Sequence, residues 1–417
     1  MRLLLYGLNF WPELTGVGKY SGEMAQWLSE HGHTVNVVAA PPYYPAWQVP
    51  PEYSAARYTD EVWGLDGRVC ITRCPIWVPR QPSTLRRLLH LISFALSSLP
   101  ALWRALRKRP DILMVVVPTL FVVPAALLMA KLWRIPAWVH VQDFEVEAMF
   151  NLGLGGRSGL VRRMALFIES RLLRAFDRAS SISRSMVDRL AAKGVMSARC
   201  VEFPNWVNLA AVFPILGFNS FRAELKLGPD DVLVLYAGNM GEKQGLEIMI
   251  EAARVMTNTP HVRFALAGSG SATQRLRITA EGLPNVVWLP LQPISRLNEM
   301  LNAADIHLLP QRADAADLLM PSKLTGMLAS GRATVGTAAT ETQLGQVLEQ
   351  AGYRVDPSDV DALVKALRLL ALDAGLRSYL GRRGRAYAEE YLGLDAIMTR
   401  FELQLESIAT EKGIARR

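Results

Sequence analysis

The chain has 417 residues, half of them apolar and 20% charged, with a formal net charge of +8. That length predicts two or three domains with sizeable cores, and the composition excludes a disordered chain. The surplus of cations points to an anionic partner, whereas Cys70, Cys74 and Cys200 form no CxxC pair and indicate neither a zinc site nor a disulfide framework, which fits a reducing, cytoplasmic setting.

Residues 2–6 read as a first buried strand and not as an export signal. Asn9 and Glu13 interrupt the apolar run, and no small-residue cleavage site follows. A long loop through Gly7, Gly16 and Gly18 leads to a helix over 21–31 and a second strand over 33–39. The loop, GLNFWPELTGVG, lacks the GxGxxG spacing of a dinucleotide clamp, which disfavours a nicotinamide cofactor. Residues 41–82 are rich in proline and aromatics. They read as an ordered connection packed by its own rings, with a share in acceptor binding as the alternative.

Between Arg80 and Arg109 stand seven basic residues and no acid, set among leucine, isoleucine, phenylalanine and tryptophan. A basic amphipathic helix over 83–109 suits an anionic membrane surface; a core helix with a solvated basic edge is the alternative. Arg157, Arg162, Arg163, Arg171 and Arg174 form a similar cluster in the same half. Residues 112–133 have the length of a membrane span, but Pro118 and Pro124 cut them into strand, turn and helix. A strand over 137–141 carries His140, which reads as a buried, satisfied histidine, and Asp143 follows it. Ligands of open parallel sheets bind past the carboxyl ends of strands, so Asp143 is the candidate functional acid. Strands over 179–183 and 200–203 come next, and a relaxed pattern over 208–230 places a linker near 215.

The second half opens with VLVLYAGNMGEKQGLEIMIEAA, residues 232–253. A β-branched strand is followed by a turn with Gly238, Gly241 and Gly245, then by one apolar helix face. Such a turn offers backbone N–H groups and a helix N-terminus to a phosphate, with Lys243 and Gln244 as cation and amide donor. A surface turn that merely needs glycine is the alternative. A strand over 262–267 ends in Gly268-Ser269-Gly270, and strands over 286–289 and 306–309 follow. Pro321-Ser322-Lys323-Leu324 opens a helix that closes at Gly331; Ser322 suits the N-cap, and Lys323 makes a second anion site. A strand over 334–337 precedes Glu341. Asp359-Val360-Asp361 has the DxD spacing of some metal sites, but it stands just before a helix, where acids cap; no metal or cofactor is expected. Helices over 376–391 and 394–410 end the chain.

The glycine loop after the first strand, the glycine turn with Lys243 and Gln244, and the PSK helix together resemble glycosyltransferase family 4. Longer stretches, among them PELTGVGKYSGEM, APPYYPAWQV, QDFEVEAM, GNMGEKQGLE and AADLLMPSKLT, resemble the colanic acid biosynthesis fucosyltransferases of that family. The resemblance covers nearly the whole chain. It implies an α/β GT-B fold of two Rossmann-like, doubly wound parallel-sheet domains facing across a cleft. Residues 1–215 would be the acceptor domain and 216–390 the nucleotide-sugar domain, with helix 391–417 packed back on the first. The implied reaction is metal-independent, retaining transfer of a hexose, fucose from GDP-fucose, onto a polyprenyl-diphosphate-linked sugar in exopolysaccharide biosynthesis. The implied place is the inner face of the cytoplasmic membrane, contacted through 83–109, with no nucleic-acid partner.

By the same resemblance, Asp143, Gly16 and Gly18 fall at the catalytic, donor-facing positions. Gly238, Asn239, Lys243, Gln244, Gly268, Ser269, Pro321, Ser322, Lys323, Leu324 and Glu341 fall around the nucleotide sugar. The family commonly has Arg after the first glycine and Lys before the last; here stand Asn239 and Gln244. Its two glutamates eight positions apart are replaced by Leu318 and Gly326, with Asp317, Ser322 and Glu341 as substitutes. A nucleotide-sugar 2-epimerase on the same fold, or a non-catalytic scaffold for polysaccharide assembly, stays open beside the transferase.

Overall fold

The computed structural model describes residues 1–13, 16–81, 83–117, 120–144, 146, 159–259, 261–312 and 322–411. They form two α/β units. One comprises Met1–Pro204 and Met398–Arg417, the other Asn205–Ile397.

The sheet of the first unit has eight strands: β1 (Arg2–Gly7), β2 (Thr34–Ala39), β3 (Thr59–Trp63), β4 (Val69–Arg73), β5 (Ile112–Val117), β6 (Ala137–Val141), β7 (Arg178–Ser181) and β8 (Cys200–Glu202). Their order is β3-β4-β2-β1-β5-β6-β7-β8, and only the β3–β4 pair is antiparallel. Every residue of β5 and β6 is buried, which is why ILMVVV and AWVHV are nearly continuous apolar runs: helices cover both faces of a parallel sheet. Crossovers from β1 to β2 run one way along the sheet, and those from β4 through β5 and β6 to β7 run the other. Because parallel crossovers are right-handed, the helices Thr84–Ser97, Leu99–Arg107, Val123–Trp133 and Gly159–Leu173 share one face of this sheet, and Gly16–Glu30 takes the opposite face.

The second unit has β9 (Val232–Ala237), β10 (Val262–Ala267), β11 (Val286–Leu289), β12 (Ile306–Leu309), β13 (Ala333–Thr337) and β14 (Tyr353–Val355), all parallel. The order β11-β10-β9-β12-β13-β14 reverses direction between β9 and β12. That reversal opens a crevice at the carboxyl ends of these two strands, where such sheets hold ligands.

Several elements depart from the sequence-based expectation. The first helix begins at Gly16 and not at 21. Residues 41–82 contain β3 and β4; TDEVW is polar and half exposed because it pairs on one side only, at the sheet edge, so no apolar run announces it. Residues 83–109 form two helices. The second starts with Pro100 in its first turn, where proline fits a helix start and breaks a helix interior. Ser98, at the junction, is buried and shares a 2.7 Å hydrogen bond with the Tyr6 hydroxyl, while Phe94, Leu102 and Leu106 join the core. Asp359 caps Val360–Leu372, its carboxylate accepting from Ala362 N at 2.8 Å, as expected of that DxD.

The division between the units falls at Pro204 and not near 215, because residues 205–215 are tied to the second unit. Phe213 N donates to Asn298 Oδ1 at 3.1 Å and Ile215 N to Asn302 Oδ1 at 2.7 Å. The last helix, Leu394–Glu411, passes into the first unit at Met398. There Phe401 stacks on Phe203 with ring centroids 4.2 Å apart and meets Trp138 edge-on at 5.2 Å, and Glu402 Oε1 lies 2.7 Å from His33 Nε2. Phe401 is 2% exposed, so Phe401→Ala leaves a cavity in the first unit. It is expected to lower that unit's stability by about 3–5 kcal/mol, read as a shift of the urea midpoint at unchanged slope.

Candidate functional site

In the second unit the sites expected from sequence converge at the carboxyl ends of β9 and β10. Gly238 has φ 142° and Gly268 φ 128°, a region that disfavours side chains. The two turns are also too close for one: a Cβ on Gly268 would lie 2.2 Å from Gly238 O, and one on Gly270 2.4 Å from Met240 C and O. Gly238 N donates to Ala267 O at 2.8 Å and Met240 N to Ser269 O at 2.9 Å, so the turns are laced together by backbone. Ser269 stays exposed at the rim.

Lys323 closes this group. A Cβ on Gly238 would fall 2.3 Å from Lys323 Cε, so the glycine makes the channel through which the lysine passes. Its ammonium donates to the Tyr236 hydroxyl and, at 3.1 Å, to Asn239 O, and it lies 4.5 Å from the centre of the Tyr236 ring. Tyr236 in turn donates to Asn239 O at 2.5 Å. Among the described residues the lysine meets neutral partners, and burial pushes its pKa down to about 8. A cation desolvated among neutral dipoles gains when an anion arrives.

The other residues divide. The Gln244 carbonyl oxygen is buried without a hydrogen-bond donor, as is that of Gln311 after β12. Gln311 lines a cavity of about 450 Å³ with Gly245, Glu247, Arg312, Thr337 and Ser358, among others. Ser322 occupies the N-cap position of Lys323–Ala329, but its backbone is helical (φ −58°, ψ −21°) and its side chain makes no cap hydrogen bond, contrary to expectation. Leu324 is 0% exposed and packs in the core with Leu309 and Leu328, so its side chain cannot reach a ligand. Glu341 is exposed, next to Thr342, which caps the following helix by accepting from Gly345 N at 3.0 Å. Pro321 and Asp317, together with the side chain of Lys243, lie outside the described residues.

In the first unit Asp143 is exposed just past β6. His140 is a core residue. Burial pushes its pKa down to about 3, and its ring nitrogens are engaged by Ser180 Oγ and Gln142 Nε2, each at 2.9 Å. Gly16 has φ 60° and starts a helix, with open space where a Cβ would be. Gly18 has a different reason to lack a side chain: a Cβ there would stand 2.6 Å from Glu13 Cβ and Oε2. Glu13 is 4% exposed and receives Tyr43 N and Tyr44 N at 3.1 Å and Asn9 Nδ2 at 2.9 Å. Burial raises its pKa against the opposing effect of those donors. This carboxylate ties the glycine loop to the aromatic loop after β2. Sequence reasoning met Glu13 only as an interruption of an apolar run, and Tyr236 only as the end of a strand.

Two parallel-sheet α/β units, the second with a glycine-lined crevice beside its switch point, have the architecture of the GT-B fold. The family described as "Glycosyl transferase 4-like domain" matches residues 15–206, and "Glycosyl transferases group 1" matches residues 231–373. The chain is 43% identical over 410 residues to "Putative colanic acid biosynthesis glycosyl transferase WcaI" of Escherichia coli (strain K12), covering 96% of this chain and 98% of that one. A D-inositol 3-phosphate glycosyltransferase of Segniliparus rotundus is 28% identical over 184 residues, 41% of this chain and 39% of that protein. Among solved structures, sucrose-phosphate synthase from Thermosynechococcus elongatus superposes with a TM-score of 0.74 at 16% identity, covering 98% and 99% of the two chains. Anabaena HepE in complex with UDP and glucose gives 0.69 at 12% identity, covering 98% and 100%. The chain belongs to glycosyltransferase family 4, on the GT-B fold.

The depressed lysine fixes the sign of a pH effect. Between about pH 7, where the terminal phosphate of a nucleoside diphosphate is ionised, and about pH 8, the free protein already carries the proton and affinity is flat. Above it, binding must take up a proton, so affinity falls by up to about tenfold per pH unit until the raised pKa of the complex is reached. Lys323→Met abolishes that slope and lowers affinity about ten- to a hundredfold, the worth of a charged hydrogen bond; calorimetric titration with GDP and UDP checks both. Gly268→Ala is expected to destabilise the second unit by about 2 kcal/mol or more, since the turn cannot open without breaking its partner.

Proposed function

We propose that this protein transfers a hexose, fucose from GDP-fucose, onto a polyprenyl-diphosphate-linked sugar in the making of a colanic-acid-like exopolysaccharide. The observation that carries the reading is the half-buried ammonium of Lys323 set against the Gly238 turn beside the switch point of the second sheet. The name of the 43%-identical relative supports the pathway, and the UDP complexes of a fold neighbour support a nucleotide-sugar donor.

In this reading the bond between the anomeric carbon and the β-phosphate oxygen breaks, and a bond to the acceptor hydroxyl forms. Negative charge grows on the departing diphosphate, where Lys323 and the N–H groups of the glycine turns stabilise it. Positive charge grows on the sugar ring, whose hydroxyls have the Gln311 oxygen as an acceptor at the cavity. This amide takes over part of the role of the family's paired glutamates, whose positions hold Leu318 and Gly326. Asp143 orients the acceptor hydroxyl or takes its proton, and the anomeric configuration is retained. The basic pair of helices over 83–109 docks the first unit to the cytoplasmic face of the membrane, with Leu85, Leu89, Ile92 and Leu96 forming an exposed stripe.

Thermal-shift titration with GDP, GDP-fucose, UDP and UDP-glucose, followed by transfer of labelled sugar to a polyprenyl-diphosphate-linked acceptor, tests this. GDP ligands alone are expected to stabilise the protein, by about 2.7 kcal/mol at a hundredfold excess over Kd. Stabilisation by UDP ligands instead replaces the sugar and keeps the class. GDP binding with no transfer to any acceptor overturns the reading. Asp143→Asn is expected to cut transfer about 100-fold or more while leaving GDP binding unchanged.

A further inference from the structure

The helix Gly159–Leu173 carries more exposed apolar surface than a helix of a closed domain should. Leu160, Val161, Met164, Phe167 and Ile168 are 69%, 52%, 58%, 64% and 51% exposed. Their spacing, with steps of three and four, lays them along one side. Scattered apolar residues need no explanation, but five large ones on two helical turns do.

The charges around this stripe are of one sign. Arg162, Arg163, Arg171 and Arg174 are all exposed. The segment 159–174 holds a single acid, Glu169, which is 2% exposed and bound by the ammonium of Lys193 at 2.5 Å. The one negative charge is thus withdrawn from the surface and neutralised. The same asymmetry holds in the helices between β4 and β6, whereas Arg184–Ala192, which also lies on this face, carries exposed Asp188 paired with Arg184. Residues 84–109 and 120–134, whose helices lie on this face, contain no Asp or Glu. They also expose Trp103, Phe121, Leu128 and Leu132. On the opposite face, Gly16–Glu30 carries Glu23 and Glu30. A protein partner would need an acidic surface with an apolar centre; an anionic bilayer offers both features over any area.

We propose that Gly159–Leu173 is a second membrane-inserting helix, which lies in the interface of an anionic bilayer with Met164, Phe167 and Ile168 among the acyl chains and its arginines at the headgroups. The proposal rests on the membrane-facing part of the function above and extends it to a different element. The first unit then docks through a broad helical face and not through residues 83–109 alone.

The test uses the full chain with vesicles of phosphatidylcholine alone or with 30% phosphatidylglycerol, roughly the charge density at which polybasic attraction becomes strong. The variants are Met164→Ser/Phe167→Ser/Ile168→Ser and, separately, Leu85→Ser/Leu89→Ser/Leu96→Ser. All six side chains are at least 49% exposed, so both proteins are expected to fold, as checked by circular dichroism. The wild type is expected to co-sediment with anionic vesicles and not with neutral ones, and each triple variant to lose affinity about tenfold or more. An environment-sensitive dye on Met164→Cys is expected to shift to the blue only with anionic vesicles. Unchanged vesicle affinity of the 164/167/168 variant overturns the proposal. So does light scattering that shows the wild type to be a dimer and this variant a monomer, which would make the stripe a self-association surface. Transfer to a short-chain, detergent-dispersed acceptor separates the two readings: its failure in the wild type sinks the proposed reaction and leaves the vesicle result standing.

Discussion

The second unit is arranged around one desolvated ammonium. Lys323 reaches the crevice only because Gly238 has no side chain, and Gly238 holds its position only because Gly268 lets the neighbouring turn press against its carbonyl. Its partners among the described residues, a phenol and a peptide carbonyl, are dipoles without charge. Placing a cation there costs solvation free energy that neutral partners offset in part, and the depressed pKa records the remainder. The site is therefore built for a ligand that brings the missing negative charge. It bears on a feature that otherwise looks like a deficit: where the family commonly has Arg and Lys, the glycine turn has Asn239 and Gln244, with Lys243 one residue early, and a further cation arrives from the start of the helix Lys323–Ala329.

The first unit is organised by buried polar groups of another kind. Glu13 gathers three donors from two loops, and Arg73, fully buried, donates to Trp11 O, Ala40 O and the Glu61 carboxylate. These bonds fix loops that carry no regular structure and would otherwise have no means of holding one shape. The aromatic rings of residues 41–48 are shaped by that network and not only by packing on each other.

Much of this was legible beforehand. The buried strands announced themselves as apolar runs bounded by glycine, and His140 and Asp359 had the structural roles their contexts suggested. The glycine turns at 238 and 268 were visible as turns, but their mutual contact was not, since it depends on two strands lying side by side. Strand β3 was illegible because an edge strand half in solvent has no apolar signature. The break between the two helices of 84–107 was marked by Pro100, yet the apolar pattern runs through it, and the pattern is what period-based reading follows. Ser322 had the right chemistry for a cap and the wrong backbone angles. Leu324 shared a motif with Lys323 and turned into the core, since successive helix positions are about 100° apart.

The return of the last helix sets an order of events during synthesis. The first unit leaves the ribosome first, yet Phe203 and Trp138 lack the ring that covers them until Phe401 emerges, after the whole second unit. Until then the nascent first unit presents an open aromatic patch beside β6, while the second unit can already close on its own core. The unit that comes first in the sequence is thus completed after the second, once Phe401 has been made.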